Sequence, residues 1–328
     1  MASHVVSVAP HGDRKSEAQR EVWGQTLAEL GRVYPNLLVL DGDLANSTRA
    51  EIFENAYPGR FLQMGIAEQN MMGVAGGLAT VGMVPWLSSF AVFLASRDLD
   101  QLRMVVAQPR LNVKIGAGYA GIMTGKTGKT HQSVDDVAIM RALPHMLVLS
   151  PADCVELRQM MAAMMRDSSP TYLRLIRDSL PNIFGADYRF TIGDVYVVRE
   201  GTDLTIFSHG PQTVRALDAA DLLQAEGISA HLVHVPTIKP LDEEAIVTHA
   251  AKTGLVVTTE DHNRLGGLGG AIAEVLGQRQ PTRMRIHGWD DTFGESGDND
   301  ALLEKYGLTP RHIAEQARSL VRSRGSQG

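Results

Sequence analysis

Long hydrophobic runs are missing from this chain. Nothing approaches the ~18 consecutive apolar residues of a membrane-spanning helix, and the opening stretch up to Arg20 has no apolar core of the kind a secretory signal carries. Cysteine is almost missing too. Cys154 stands alone, so no intramolecular disulfide can form, and a reducing, cytoplasmic setting is expected. There is no basic surplus: 31 Lys and Arg face 37 Asp and Glu, a net charge of −6. That balance argues against nucleic acid as a partner, while a small anionic ligand needs only a local cluster. The eleven histidines show no HExxH pattern and no Cys/His ligand spacing, so no metal site is expected on this chain. Fixed-period repeats and low-complexity tracts are also lacking.

What remains is ordinary globular material. Hydrophobic residues make up 44% and charged residues 21% of 328, which fits about two soluble domains. Short apolar runs alternate with longer amphipathic segments. Helices are predicted over 16–34, 68–80, 93–106 and, after the stop and cap Ser150-Pro151-Ala152-Asp153, up to Met165. Strands are predicted at 37–40, 61–64, 83–86, 111–115, 145–149 and 170–175. A stretch with few periodic apolar residues follows, and then strands at 204–207, 230–235 and 254–259 with helices at 213–226 and 269–276 and a basic helical tail from Thr309 to Arg324. Strand and helix in alternation predict an α/β fold, a doubly wound parallel sheet followed by a smaller α/β unit.

Two glycine-bearing turns invite stronger readings and do not sustain them. Leu265-Gly266-Gly267-Leu268-Gly269-Gly270 lies between a strand and a helix, but a dinucleotide fingerprint starting at Gly267 needs a small residue where Ile272 stands. Packing is the better account. Asp41-Gly42-Asp43 with Asn70 downstream resembles a metal–diphosphate motif, yet Leu44 replaces the glycine that lets the backbone approach a diphosphate. The Met160-Met161 and Met164-Met165 pairs read as core on one helix face, and Cys154 as a small buried residue.

Three other segments fall at the carboxyl ends of predicted strands, where ligands of open α/β sheets sit. Gly65-Ile66-Ala67-Glu68-Gln69-Asn70-Met71 places an acid in the first turn of a small-residue helix. Ser89-Phe90-Ala91-Val92-Phe93 puts two aromatics three residues apart. Gly125-Lys126-Thr127-Gly128-Lys129-Thr130-His131-Gln132 is a Gly-rich turn that ends in histidine. Taken singly, each has a bland reading: a solvated acid at a helix start, a core pair, a satisfied histidine. As an ordered set with DGDLANS, SPAD and RDSLP, they resemble the second half of a transketolase, from about Ser16 to the end. A transketolase in one chain is about twice as long and begins with the diphosphate-binding domain.

The resemblance implies the smaller subunit of a split transketolase. Residues 1–15 would be a flexible N-terminus, 16–180 the pyrimidine-binding domain, 181–195 a linker and 196–328 the transketolase C-terminal domain. It implies thiamine diphosphate as cofactor, with Mg2+ or Ca2+ held by a partner subunit that carries the diphosphate motif, in an α2β2 heterotetramer acting on sugars. Glu68 matches the acid that faces the aminopyrimidine ring nitrogen. Phe90 and Phe93 match residues that stack on that ring, Asp43 lies on the cofactor side, and Ser96 stands where relatives often have a further aromatic. His131 matches a substrate-facing histidine that can move protons. Arg20, Ser47 and Arg177 align with groups that hold the terminal phosphate of sugars, and Tyr119 replaces a histidine there. The usual acid of the Gly-rich turn is Thr127, and Lys126 and Lys129 are extra cations, which implies a donor unlike the common pentose phosphates. The β subunit of a 2-oxo-acid dehydrogenase, half of a 1-deoxyxylulose-phosphate synthase, and a non-catalytic scaffold subunit stay open as alternatives.

Overall fold

The structure is a computed structural model and describes residues 3–323. Two sheets carry it. The first has seven strands in the spatial order Thr237–Lys239, Leu147–Leu149, Thr171–Arg174, Lys114–Gly118, Val84–Phe90, Leu37–Asp41 and Phe61–Gln63. All pair in parallel except Thr237–Lys239, which joins the edge antiparallel. Register lines up Leu40, Leu87, Ile115, Tyr172 and Val148 across five strands, and all five are buried. Such all-apolar strands need cover on both faces, which the intervening helices supply.

The second sheet has six strands, ordered Ser3–Val5, Val195–Arg199, Ala230–His234, Leu204–Ser208, Leu255–Asn263 and Arg283–Trp289. Only the Val195–Arg199 and Ala230–His234 pair is antiparallel. One apolar core runs through both halves, joining Trp23, Trp86 and Met161 to Tyr196, Ile206 and Leu320.

Several boundaries differ from the sequence expectation. The expected flexible leader holds an edge strand, because Ser3–Val5 pairs with Val195–Val197; residues 1 and 2 lie outside the described residues. The first helix begins at Gln19, since Ser16–Ala18 is taken up by an antiparallel pairing with Ser179–Pro181. The expected linker contributes Ile183, Phe184, Tyr188 and Phe190 to the core, with Phe184 and Tyr188 stacked at 4.1 Å. The helix expected over 93–106 is broken into Ala91–Ser96, Leu99–Gln101 and a π-helical Leu102–Ala107. The tail helix spans Pro310–Arg322, and its expected end at Arg324 lies outside the described residues.

Candidate functional site

The carboxyl ends of Leu37–Asp41, Val84–Phe90 and Lys114–Gly118 lie side by side, with Asp41 paired to Ser88 and Phe90 to Gly118. Chain segments leaving these ends build the site. Gly65, with φ of +69°, turns the chain into the helix Glu68–Thr80. Gly76 lets that helix settle on the π-helical segment, where a Cβ would come 2.4 Å from Val105. Glu68 sits in the first turn, where the helix dipole favours a negative charge. It is 3% exposed, and its Oε1 accepts from Arg97 Nη1 at 3.0 Å.

The same Arg97 guanidinium lies 3.8 Å from the centre of the Phe93 ring. Phe90 is more enclosed, stacked on Tyr119 at 3.9 Å. His131 meets both phenyl rings edge-on, at 5.9 Å and 5.3 Å, and its Nδ1 pairs with Thr130 Oγ1. Glu68, Phe90, Phe93, His131 and Tyr119 are thus linked through Arg97 and the aromatic contacts.

The anion-side residues form a second cluster. Tyr119, at φ of +60°, is held in a left-handed conformation that a bulky side chain seldom adopts. Its hydroxyl donates to Ser47 O at 3.3 Å and accepts from Arg20 Nη1 at 3.3 Å. Arg20 also donates to Ser47 O, and Arg177 stands 5.7 Å from the Tyr119 ring centre. Ser47 takes part through its backbone, not its hydroxyl, which contacts Asn46. A cavity of about 350 Å³ opens beside Arg177, lined by Thr124, Lys126, Thr127, Asp178 and Asn299 among others.

Three expected site residues are placed differently. Ser96 is exposed and turns its hydroxyl back onto Val92 O, so it does not face the aromatic pair. Thr127 lines the cavity, but its hydroxyl donates to Thr124 O at 2.6 Å within the turn. Asp43 is exposed, at φ of +68°, and what holds it is its backbone N–H donating to Gln63 Oε1. Lys126 reaches Asp298 at 3.7 Å, and Lys129 is exposed.

Sequence reasoning missed two groups. Asp98 is fully buried, with neither carboxyl oxygen partnered. Burial, reinforced by the charge of Glu68, pushes its pKa well above the usual carboxylate range. Its only signal was a place next to Arg97 in an interrupted helix. Asn299 comes from the far end of the chain and grips the Gly-rich turn, accepting from Gly125 N at 2.9 Å and donating to Met123 O at 3.2 Å.

The site fits the aminopyrimidine end of thiamine diphosphate. Glu68 offers a buried carboxyl, and Ser89 Oγ, just before Phe90, is a buried polar atom without a partner, as a ligand-binding pocket would leave it. Arg97 covers Phe93 and Glu68 from a side chain that is 45% exposed, so the guanidinium sits on the solvent side of the buried carboxyl. Among the described residues, no group of three or more His, Cys, Asp or Glu could hold a metal ion. The second Gly-rich turn offers no free anion site either, because Glu260 accepts from the N–H groups of Leu268 and Gly269 at 2.7 and 2.9 Å. Cys154 is no nucleophile, since burial pushes its thiol up to about 12.

Comparison with known proteins gives two domain matches. The transketolase pyrimidine-binding domain matches residues 15–182, and the transketolase C-terminal domain matches residues 193–313. A putative transketolase C-terminal section from Methanocaldococcus jannaschii is 42% identical over 92% of this chain and 95% of its own length. A 6-deoxy-6-sulfo-D-fructose transketolase subunit from a Clostridium species is 40% identical over 92% of this chain and 94% of its own. A solved structure described as a split gene transketolase, inactive β4 tetramer, is 45% identical, with a TM-score of 0.85 over 93% of this chain and 98% of that one.

Proposed function

The chain belongs to the transketolase family, and from that premise we propose that it is the smaller subunit of a split, thiamine-diphosphate-dependent transketolase. It moves a two-carbon ketol unit from a ketose with an anionic terminus to an aldehyde. The observation that carries this reading is the buried Glu68 at a helix start, joined through Arg97 to Phe93, whose ring meets His131. Thiamine diphosphate, when bound, would supply the nucleophilic carbon for ketol transfer.

This chain's residues do the rest. Glu68 would hold thiamine diphosphate by its aminopyrimidine and share a proton with the ring nitrogen, with Phe93 as the stacking face and Phe90 behind it. His131 hydrogen-bonds and moves protons at the reacting oxygens. Arg20, Tyr119 and Arg177 hold the donor's anionic end. The diphosphate and its Mg2+ are assigned to a partner subunit in a cytoplasmic α2β2 assembly. Support comes from relatives of nearly the same length that are named as a section and a subunit. Without its partner the chain is expected to self-associate in an inactive form, as the name of its 45% identical relative describes for that protein.

Calorimetry with each subunit alone and with both mixed tests the proposal. Weak binding of thiamine diphosphate by this chain and tight, magnesium-dependent binding by the mixture are expected. Tight magnesium-dependent binding by this chain alone would sink it.

A further inference from the structure

The anion cluster contains more than its arginines. Asp178 follows Arg177 directly and accepts from Arg177 Nη1 at 2.7 Å through Oδ1. Its other oxygen, Oδ2, accepts from Asn299 Nδ2, which is itself fixed by Met123 O and by the N–H of Gly125. Both carboxylate oxygens are therefore engaged, which holds Asp178 beside Arg177 and sets its charge against that guanidinium. Lys126 at the cavity rim is likewise opposed by Asp298.

Arg20 is different. It makes no ion pair among the described residues, its Nη1 meets only the neutral Tyr119 hydroxyl and Ser47 O, and its Nε is buried without a partner. Arg20 and Arg177 against Asp178 leave one net positive charge around Tyr119, and the Lys126–Asp298 pair adds none.

Resting on the transketolase reading, we propose that this subsite selects a donor whose terminal group is a tetrahedral monoanion, a sulfonate, over one that ends in phosphate. A phosphate monoester carries about −1.5 to −2 charges at pH 7, because its second pKa is about 6. Its second charge would meet no further uncompensated cation among the residues that line the cavity, and Lys129 of the same turn lies outside that lining; taking an unpaired charge out of water is costly. A sulfonate brings one charge at every working pH and three oxygens. Those oxygens can be addressed from two sides, by Arg20 at the Tyr119 hydroxyl and by Arg177 beside the ring. A carboxylate, with two coplanar oxygens, suits one guanidinium fork rather than two separated donors.

The test uses the complex reconstituted from this chain and its partner. Two ketose donors that differ only in the terminal group, a C6 sulfonate and a C6 phosphate, are compared by kcat/KM with one common acceptor. The sulfonate is expected to lead by about tenfold at pH 7.5, equivalent to about 1.4 kcal/mol. That ratio should close as pH falls through about 6 and the phosphate takes up its second proton. Titrations of the enzyme and acceptor that act equally on both donors cancel in this ratio. Asp178→Asn should move the ratio about tenfold toward phosphate, and the pH arm needs only the wild type if that variant does not assemble. A phosphate preference in the wild type, with a ratio indifferent to pH, overturns the monoanion subsite and leaves the transketolase reading standing. No turnover of either donor overturns the transketolase reading, and the subsite with it.

Discussion

Glu68 shows how much one residue can depend on its surroundings. The motif from Gly65 to Met71 made it a candidate because the acid, the glycine turn and the small-residue helix are contiguous in sequence. What the motif could not carry is the company it keeps: Arg97 at 3.0 Å and the buried, unpartnered Asp98 both arrive from a different segment. Glu68→Gln keeps the shape and the hydrogen bond from Arg97 but cannot share an acidic proton with a ring nitrogen. The variant should fold and assemble as the wild type does, while exchange of the cofactor's thiazolium proton in the complex slows by at least about 100-fold, the usual scale of a lost acid–base group. Proton exchange followed by NMR after acid quench checks this, and a wild-type rate would remove Glu68 from the chemistry.

At the scale of elements, the strands of the first sheet were easier to read than those of the second, where Val195–Arg199 and Arg283–Trp289 were not anticipated. Leu37–Asp41 and the helix Glu68–Thr80 follow from local patterning and appear within a residue of expectation. The edge strands Ser3–Val5 and Thr237–Lys239 do not, since Ser-His-Val and Thr-Ile-Lys carry no apolar run of their own and each pairs with a segment distant in sequence. The break after Ser96 was hidden for a related reason: Asp98 and the π-helical turn depend on packing against the Glu68 helix, not on local propensity. The Gly-rich turn belongs to the same class. Its glycines were visible, but their cause lies in the C-terminal half, whose segment 294–302 closes over it. Gly125 N–H donates to Asn299 Oδ1, Gly297 N–H donates to Gly125 O at 3.1 Å, and a Cβ on Gly125 would come 2.4 Å from Gly297 O. Gly125→Ala should therefore push the segment off the turn, costing about 1–3 kcal/mol of stability. Thermal unfolding reads the loss, and the donor's KM in the assembled complex should rise because Arg177 and Asp178 lose the Asn299 anchor. An unchanged melting temperature and KM would show that the contact is slack.

At the scale of the molecule, one apolar cluster spans both halves, so this chain is expected to fold without a partner. The unfinished part lies at the carboxyl ends of the first sheet. Ile66 is 74% exposed two residues before Glu68, and Leu62, four residues earlier on the edge strand, is 39% exposed. Under the proposed split-subunit reading, we place the partner contact on this face, beside Glu68. If a second copy of the chain used the same face, the self-association proposed for the lone subunit would compete with pairing to the partner. Ile66→Glu places a charge in that contact while leaving the core alone, so the fold should persist with little change in thermal stability. Sedimentation should then show the lone variant shifted toward monomer, and titration with the partner should show affinity weakened by tenfold or more, about 1.4 kcal/mol. If the variant self-associates and pairs as the wild type does, the interface lies elsewhere, and the inactivity of the lone chain has to come from the missing diphosphate contacts alone.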